Sequence, residues 1–278
     1  RGPHPGRERE RRPEPQWTGR DRRRVAGSVE RQLTAPEAPR ANGRDLIIVG
    51  VAPPRFQGSV VGFLLGRGRT VAFDRYLASR EKIRAGYRVS HFLSSHDVPG
   101  ALSLLGGNVG LFRLATVLQF SVVGIPMIYY GEEVARRGGD WPDNRSNMPW
   151  GARNTLPGAG EPRDEALRND YRKLIAIRRA HPALSRGRHS SLSTEGDLYV
   201  FARRDPDSRD AVVVAVNRGA APAVARFAPP AEWESARAED VWAGGSVRTA
   251  DGSLEIDVPA ASARIVTVRR SGDPATTP

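Results

Sequence analysis

His96 and Asp97 stand side by side at the end of the segment Val89–Asp97, VSHFLSSHD. A carboxylate accepts hydrogen bonds from hydroxyls, and the neighbouring imidazole can donate one. The pair could therefore hold a hydroxyl-bearing ligand. Taken alone, the plainer reading is a strand-end His-Asp that closes a local turn. A second polar group follows in GGDWPDNR, where Trp141, Asp143 and Arg145 lie within five residues of one another. They belong to a polar loop spanning residues 134–162, and loops of that length are usually functional. Glu132 and Glu133 precede the loop and read as groups that bond backbone and orient it.

These residues need elements to position them. Val89–Leu93 is a short apolar strand ending in the polar cluster, and Pro99-Gly100 breaks the chain after it. A helix follows over Asn108–Val123, with Leu111, Leu114, Ala115 and Leu118 at helical spacing. A second strand, Ile125–Tyr130, ends at Gly131-Glu132-Glu133. Strand, helix and strand make a βαβ unit, which implies parallel strands. Polar groups at the C-terminal ends of such strands form the active sites of α/β barrels. Upstream, Asp45–Ala52 (DLIIVGVA) is a strand, residues 55–68 are ambiguous, Thr70–Phe73 is a short strand with Asp74 at its end, and Tyr76–Ala85 is a short helix. Arg163–Ala183 is a helix with Leu167, Tyr171, Leu174, Ile175 and Ile177 facing inward, and Pro182 marks its end. From about Gly187 the period becomes two. LYVFARR, AVVVAVNRG, AVARFA, LEIDV and ARIVTV are short strands punctuated by Gly, Pro, Asp and Ser. That spacing suggests an antiparallel β-sandwich.

HFLSSHD, GIPMIYYGEE and GGDWPDNRSNMPW, taken in order, resemble the last barrel strands and a substrate loop of the α-amylase superfamily, glycoside hydrolase family 13. AFDRYLAS is similar to the family's sixth strand and DYRKLIAIRRAHPAL to its last barrel helix. The resemblance covers residues 69–270. It implies the last four or five strands of a (β/α)8 barrel over residues 45–186, then a β-sandwich over 187–271. It also implies retaining glycosidase chemistry on α-glucans or maltooligosaccharides, by hydrolysis or transfer. Asp97 matches the family's third carboxylate, which stabilises the transition state, and His96 the histidine that bonds the sugar. The loop residues Asp143 and Arg145 match substrate contacts, and an Arg fork suits hydroxyl recognition. Trp141 either stacks on a sugar ring or anchors the loop.

The pattern departs in several places. Ser95 stands where the family has Asn, and Gly100 where it often has Arg. Retaining glycosidases need a nucleophile and an acid/base about 5 Å apart, and neither family motif is present. If DLIIVGVA corresponds to the fifth strand, Val51 takes the acid/base position. If Arg22–Ala26 corresponds to the fourth, Arg24 takes the nucleophile position. Neither can do that chemistry, and no family motif places Asp21, Glu30 or Asp45 there. Two readings follow: an active α-amylase-type enzyme, or a relative that binds oligosaccharide without turnover.

The net charge is +12. Residues 1–44 hold twelve Arg against six Asp or Glu and lack apolar periodicity, so they and the tail at 272–278 are expected to be disordered. Such a segment could bind nucleic acid, but nothing resembles a helix-turn-helix or zinc finger, and a solvated tail is the better reading. No cofactor or metal site is visible, and the chain has no cysteine. No apolar run is long enough to span a membrane and no leader pattern opens the sequence. A soluble protein, with the cytoplasm slightly favoured, is the expectation.

Overall fold

The computed structural model describes residues 46–48, 55–82, 87–152, 161–229, 233, 236–244 and 247–270. The two expected disordered tails, and with them Arg24, lie outside the described residues, as do Asp45 and Val51. Three strands, β1 (Leu46–Ile48), β2 (Tyr87–Phe92) and β3 (Ile125–Met127), form a parallel sheet in that order. Helix α1 (Arg55–Leu64) buries Phe56, Val60, Phe63 and Leu64, an i, i+4, i+7, i+8 stripe. This periodicity outweighs Gly58 and Gly62, which made the segment ambiguous.

Helix α2 (Thr70–Ser79) replaces the expected strand at Thr70–Phe73, and it ends well before Ala85. Thr70, Phe73, Asp74 and Leu77 are buried on one face. The helical stripe thus runs through the short β-branched start and wins over it. One consequence concerns register. Among the described residues no strand lies between them, and β1 pairs directly with β2, Leu46 opposite Tyr87. The fifth-strand reading of DLIIVGVA needs a sixth strand in that place, so its spacing fails.

From β2 the chain crosses through α3 (Ala101–Leu104) and α4 (Val109–Ser121) to β3, the expected βαβ connection. The Asn108 side chain caps α4 by accepting from the Leu111 amide at 3.0 Å. Gly124 then turns into β3 with φ of 113°, and a Cβ there would stand 2.6 Å from the Val89 carbonyl oxygen. Helix α5 (Glu165–Ala180), capped by Asp164, buries Leu167, Tyr171, Leu174 and Ile177. From α5, Arg178 donates to the carbonyls of Phe120 and Gly124, both at 2.6 Å, and so holds the α4–β3 turn. Pro182 opens a further short helix, α6 (Pro182–Arg186), where its missing N–H is harmless.

The remaining strands are β4 (Arg188–Ser193), β5 (Leu198–Arg204), β6 (Ala211–Asn217), β7 (Ala223–Phe227), β8 (Ala236–Asp240), β9 (Val247–Ala250), β10 (Ser253–Val258) and β11 (Ser262–Arg270). They form two antiparallel sheets, β4-β5-β6-β11-β8 and β7-β10-β9. Strands β5, β6 and β11 of the larger sheet are buried on both faces. Tyr199, Phe201, Val212, Val214, Val216 and Ile265 join one apolar cluster with α1, α2, α4 and α5. The alternate residues Val200, Ala202, Val213, Ala215, Val266 and Val268 meet Ala225, Phe227, Leu254, Ile256 and Val258 of the smaller sheet. No helix among the described residues is long and apolar enough to cross a membrane.

A polar seam fixes α2 on the larger sheet. Asp74 accepts from Ser191 Oγ at 2.6 Å and Tyr199 Oη at 2.8 Å, and pairs with His189 Nε2 at 3.0 Å. Arg203, fully buried, pairs with Glu81 at 3.0 Å. Burial raises the Asp74 pKa, but the hydrogen bonds from Ser191, His189 and Tyr199 outweigh it, and the net shift is downward. A lowered native pKa gives stability that is present above the ordinary value of about 3.9 and lost as pH falls through the native value. Asp74→Asn is expected to cost about 1–3 kcal/mol in chemical denaturation at neutral pH. The gap between wild type and variant should close as pH drops below about 4; a gap that persists undiminished in acid would contradict this account.

Candidate functional site

The site forms where β2 and β3 end. Past β2 the chain turns at His96-Asp97 between the bridged residues Ser95 and Val98, with the Asp97 amide donating to Ser95 Oγ at 3.1 Å. The loop after β3 returns over this turn as a short 3-10 helix at Asp143–Arg145. Buried Asn144 donates from Nδ2 to the His96 carbonyl at 2.8 Å, and Arg145 Nε donates to the same oxygen at 3.2 Å. Four of the five expected residues are thereby brought together. His96 Nε2 lies 3.3 Å from Asp97 Oδ2, Arg145 Nη2 lies 3.8 Å from Asp97 Oδ1, and the Arg145 guanidinium sits 4.4 Å from the Trp141 ring centroid. All four are open to solvent, the His96 and Asp97 side chains 61% and 55% exposed and Trp141 62%. The Asp143 carboxylate makes no ion pair or hydrogen bond with these four among the described residues. The side chain packs beside Gly139 and the Asp143 carbonyl accepts from Arg136 Nη1 at 3.5 Å. Trp141 leads into Pro142 through a cis peptide.

Beneath this surface lies a frame that the sequence did not disclose. Arg136 is buried, with its guanidinium 4.2 Å from the Tyr130 ring and 5.0 Å from Tyr129. It donates to the carbonyls of Tyr130 at 3.0 Å, Asn144 at 3.3 Å and Ser146 at 3.4 Å, and to Ser146 Oγ at 3.0 Å. The two tyrosine hydroxyls reinforce it, Tyr129 donating to the Asn144 carbonyl at 3.2 Å and Tyr130 to that of Ser146 at 2.7 Å. Glu132 orients the same corner by accepting from the Tyr129 amide at 3.1 Å, the backbone role expected of it. Burial drives the Glu132 carboxyl up, with Glu133 adding to the rise; bonds from Ser94 and the Tyr129 amide and the charge of Arg136 oppose it, and the net value is about 8.

No family model matches the chain. Amylopullulanase of Thermoanaerobacter thermohydrosulfuricus is 27% identical over 241 residues, covering 73% of this chain and 16% of that protein. Cyclomaltodextrinase of Thermoanaerobacter pseudethanolicus is 32% identical over 166 residues, 58% of this chain and 27% of that protein. The crystal structure of the α-amylase of Geobacillus thermoleovorans, complexed with acarbose, matches with a TM-score of 0.66 at 21% identity, over 78% of this chain and 47% of that one. Over the part these proteins cover, the chain is a relative of the α-amylase family, glycoside hydrolase family 13. It spans about a quarter or less of the length of those two curated relatives and about half of the solved enzyme.

In this α-amylase relative, Gly100 is not simply a lost arginine. A Cβ at Gly100 would lie 2.6 Å from the Arg137 carbonyl oxygen and 2.9 Å from that of Gly138, and the Gly100 amide donates to the latter. The loop after β3 therefore docks where a side chain would stand. Asn144, read with Asp143 and Arg145 as part of the substrate loop, bonds the His96 carbonyl instead; Arg136 escaped notice because its work is done on backbone carbonyls, and the one visible hint was an arginine placed shortly after Tyr129-Tyr130. Among the described residues, no group of three or more His, Asp or Glu side chains could hold a metal ion.

Two predictions test this frame. Arg136→Lys keeps the charge but loses the planar fork. Amide exchange over residues 140–146 should quicken, with about 1–3 kcal/mol lost in overall stability; unchanged exchange there would refute the role. Glu132 has a raised native pKa, so it makes the fold less stable as pH climbs from the ordinary carboxyl value of about 4.3 to about 8. Glu132→Gln should flatten that decline in chemical denaturation run between about pH 5 and about pH 9, and equal slopes in the two proteins would exclude the assignment.

Proposed function

We propose that the chain carries the α-glucan-contacting face of an α-amylase-type domain, with residues 45–186 forming the last part of a (β/α)8 barrel and 187–271 a β-sandwich. The observation that carries the reading is the convergence of His96, Asp97, Arg145 and Trp141, all exposed, where β2 and β3 end. Together they offer an acceptor, donors of fixed direction and an open aromatic face. That set suits a ring bearing adjacent hydroxyls. Asp97 accepts from sugar hydroxyls, His96 and Arg145 donate to them, and Trp141 supplies the stacking surface. Asp143, not bonded to these four, contacts a sugar unit further along the loop.

The ligand is a maltooligosaccharide or longer α-glucan. The names of the amylopullulanase and cyclomaltodextrinase relatives support that class, as does the acarbose in the solved α-amylase. Asp97 alone cannot run a double displacement, which takes a nucleophile and an acid/base. The activity carried by these described residues is therefore oligosaccharide binding, within a lineage of glycoside hydrolases and transglycosylases.

A maltooligosaccharide series followed by calorimetry and by reducing-end chromatography tests this. Binding should weaken about tenfold in Asp97→Asn and in Trp141→Ala, consistent with about 1.4 kcal/mol for one lost contact. Binding that is absent in wild type, or equal in all three proteins, would overturn the proposal. Sugar release by wild type that vanishes in Asp97→Asn would replace the binding reading with the enzymatic one.

A further inference from the structure

A second site lies away from the His96–Asp97 face. The turn between α1 and α2 and the turn between β4 and β5 flank an open cavity of about 780 Å³. Arg67, Arg69, Thr70, Glu195, Asp197 and Arg218 are among its lining residues. We propose that this cavity binds a small phosphate-bearing, hydroxylated ligand, with Arg67 and Arg69 holding the phosphate.

The argument starts from which charges are already used. Arg218 is fixed: it pairs with Asp197 at 2.9 Å, donates to the carbonyls of Phe63 and Gly68, and lies 4.7 Å from the Phe63 ring centroid. Arg218 thus cancels Asp197 and ties the strand end to the turn that carries the other two arginines. Arg67 and Arg69 are exposed, and neither side chain has a hydrogen-bond or ion-pair partner among the described residues. Both line the same cleft with their donors unused by the described residues, and guanidinium is the side chain best matched to phosphate.

The floor supports the same ligand. Gly66, Gly68 and Gly196 each leave open space where a Cβ would be, so the cavity wall there is backbone. Thr70, held by its hydroxyl on the Gly196 carbonyl at 2.5 Å, joins the two turns. Arg69 occupies the N-cap position of α2 without a side-chain cap, and its carbonyl accepts from the Ala72 amide at 2.9 Å, which fixes the start of the helix beside the cleft. Glu195 stands on the opposite turn and has no partner among the described residues. A bare anion would meet it as a like charge, whereas a ligand carrying hydroxyls donates to it. The cavity therefore favours a sugar phosphate over inorganic phosphate.

The test uses the full chain and titrations with inorganic phosphate, a hexose 6-phosphate and the free hexose, followed by chemical-shift changes and calorimetry. The hexose 6-phosphate should bind more tightly than inorganic phosphate, and the free hexose more weakly than either. Arg67→Gln/Arg69→Gln, two exposed changes that leave the thermal transition in place, should weaken the hexose phosphate at least about tenfold. Glu195→Gln should weaken the hexose phosphate and leave inorganic phosphate no weaker. Absence of phosphate-ester binding, or binding untouched by the double variant, overturns the proposal. Because none of these residues belongs to the His96–Asp97 face, the result is independent of maltooligosaccharide binding there.

Discussion

Strands β5, β6 and β11 have almost no face turned to water, and the rest of the molecule is arranged around that constraint. An antiparallel sheet ordinarily keeps one solvated side. Here one side backs the helices and the other backs the β7-β10-β9 sheet. Each fully buried aliphatic side chain contributes about 1.5–3 kcal/mol relative to exposure, so the larger sheet anchors two layers at once. The parallel sheet has only three strands among the described residues, too few to bury itself by closure. Its helices are instead held from behind by the antiparallel part. The Asp74 and Arg203 contacts add direction to that packing, because apolar surfaces alone would allow α2 to slide over the sheet.

The same division between holding and displaying runs through the candidate site. Exposed ion pairs are worth little, about 0–1 kcal/mol. The Asp97–Arg145 and His96–Asp97 contacts, at 3.8 and 3.3 Å in open solvent, cannot be what shapes the loop. Arg136 and Asn144, out of solvent and bonded to carbonyls on both sides of the loop, can. Desolvating a guanidinium costs energy that several charge-assisted bonds and two aromatic faces offset. The displayed side chains are left with unfilled hydrogen-bonding capacity, the condition for recognising hydroxyls.

What could be read beforehand follows from the physics of each element. The strands at LYVFARR and AVVVAVN were legible because two-sided burial makes them nearly continuous apolar runs. Strands β4, β8 and β9 are polar and sit at or near sheet edges, where composition carries little signal. Thr70–Phe73 misled because four residues cannot separate a strand from one turn of helix; Leu77 supplies the repeat that decides. His96, Asp97, Arg145 and Trp141 were recognisable as side chains with exposed chemistry. Arg136 was not, since one arginine among many differs only by what the fold puts around it.

A nucleophile and its acid/base would have to join Asp97 from further strand ends. Among the described residues β2 is the sole neighbour of β1 in the sheet, so further parallel strands could add there. The C-terminal ends of any such strands would rise beside those of β1 and β2, on the side of the sheet where Asp97 stands. A retaining glycosidase requires its two carboxylates about 5 Å apart, and strand ends one or two places along a sheet, at about 4.8 Å per step, are at that scale. Asp97 itself faces an imidazole and a guanidinium. That setting suits an acceptor of hydroxyl hydrogen bonds more than a proton donor. The constellation offers one acceptor with donors on either side, and among the described residues it brings no second carboxylate beside Asp97.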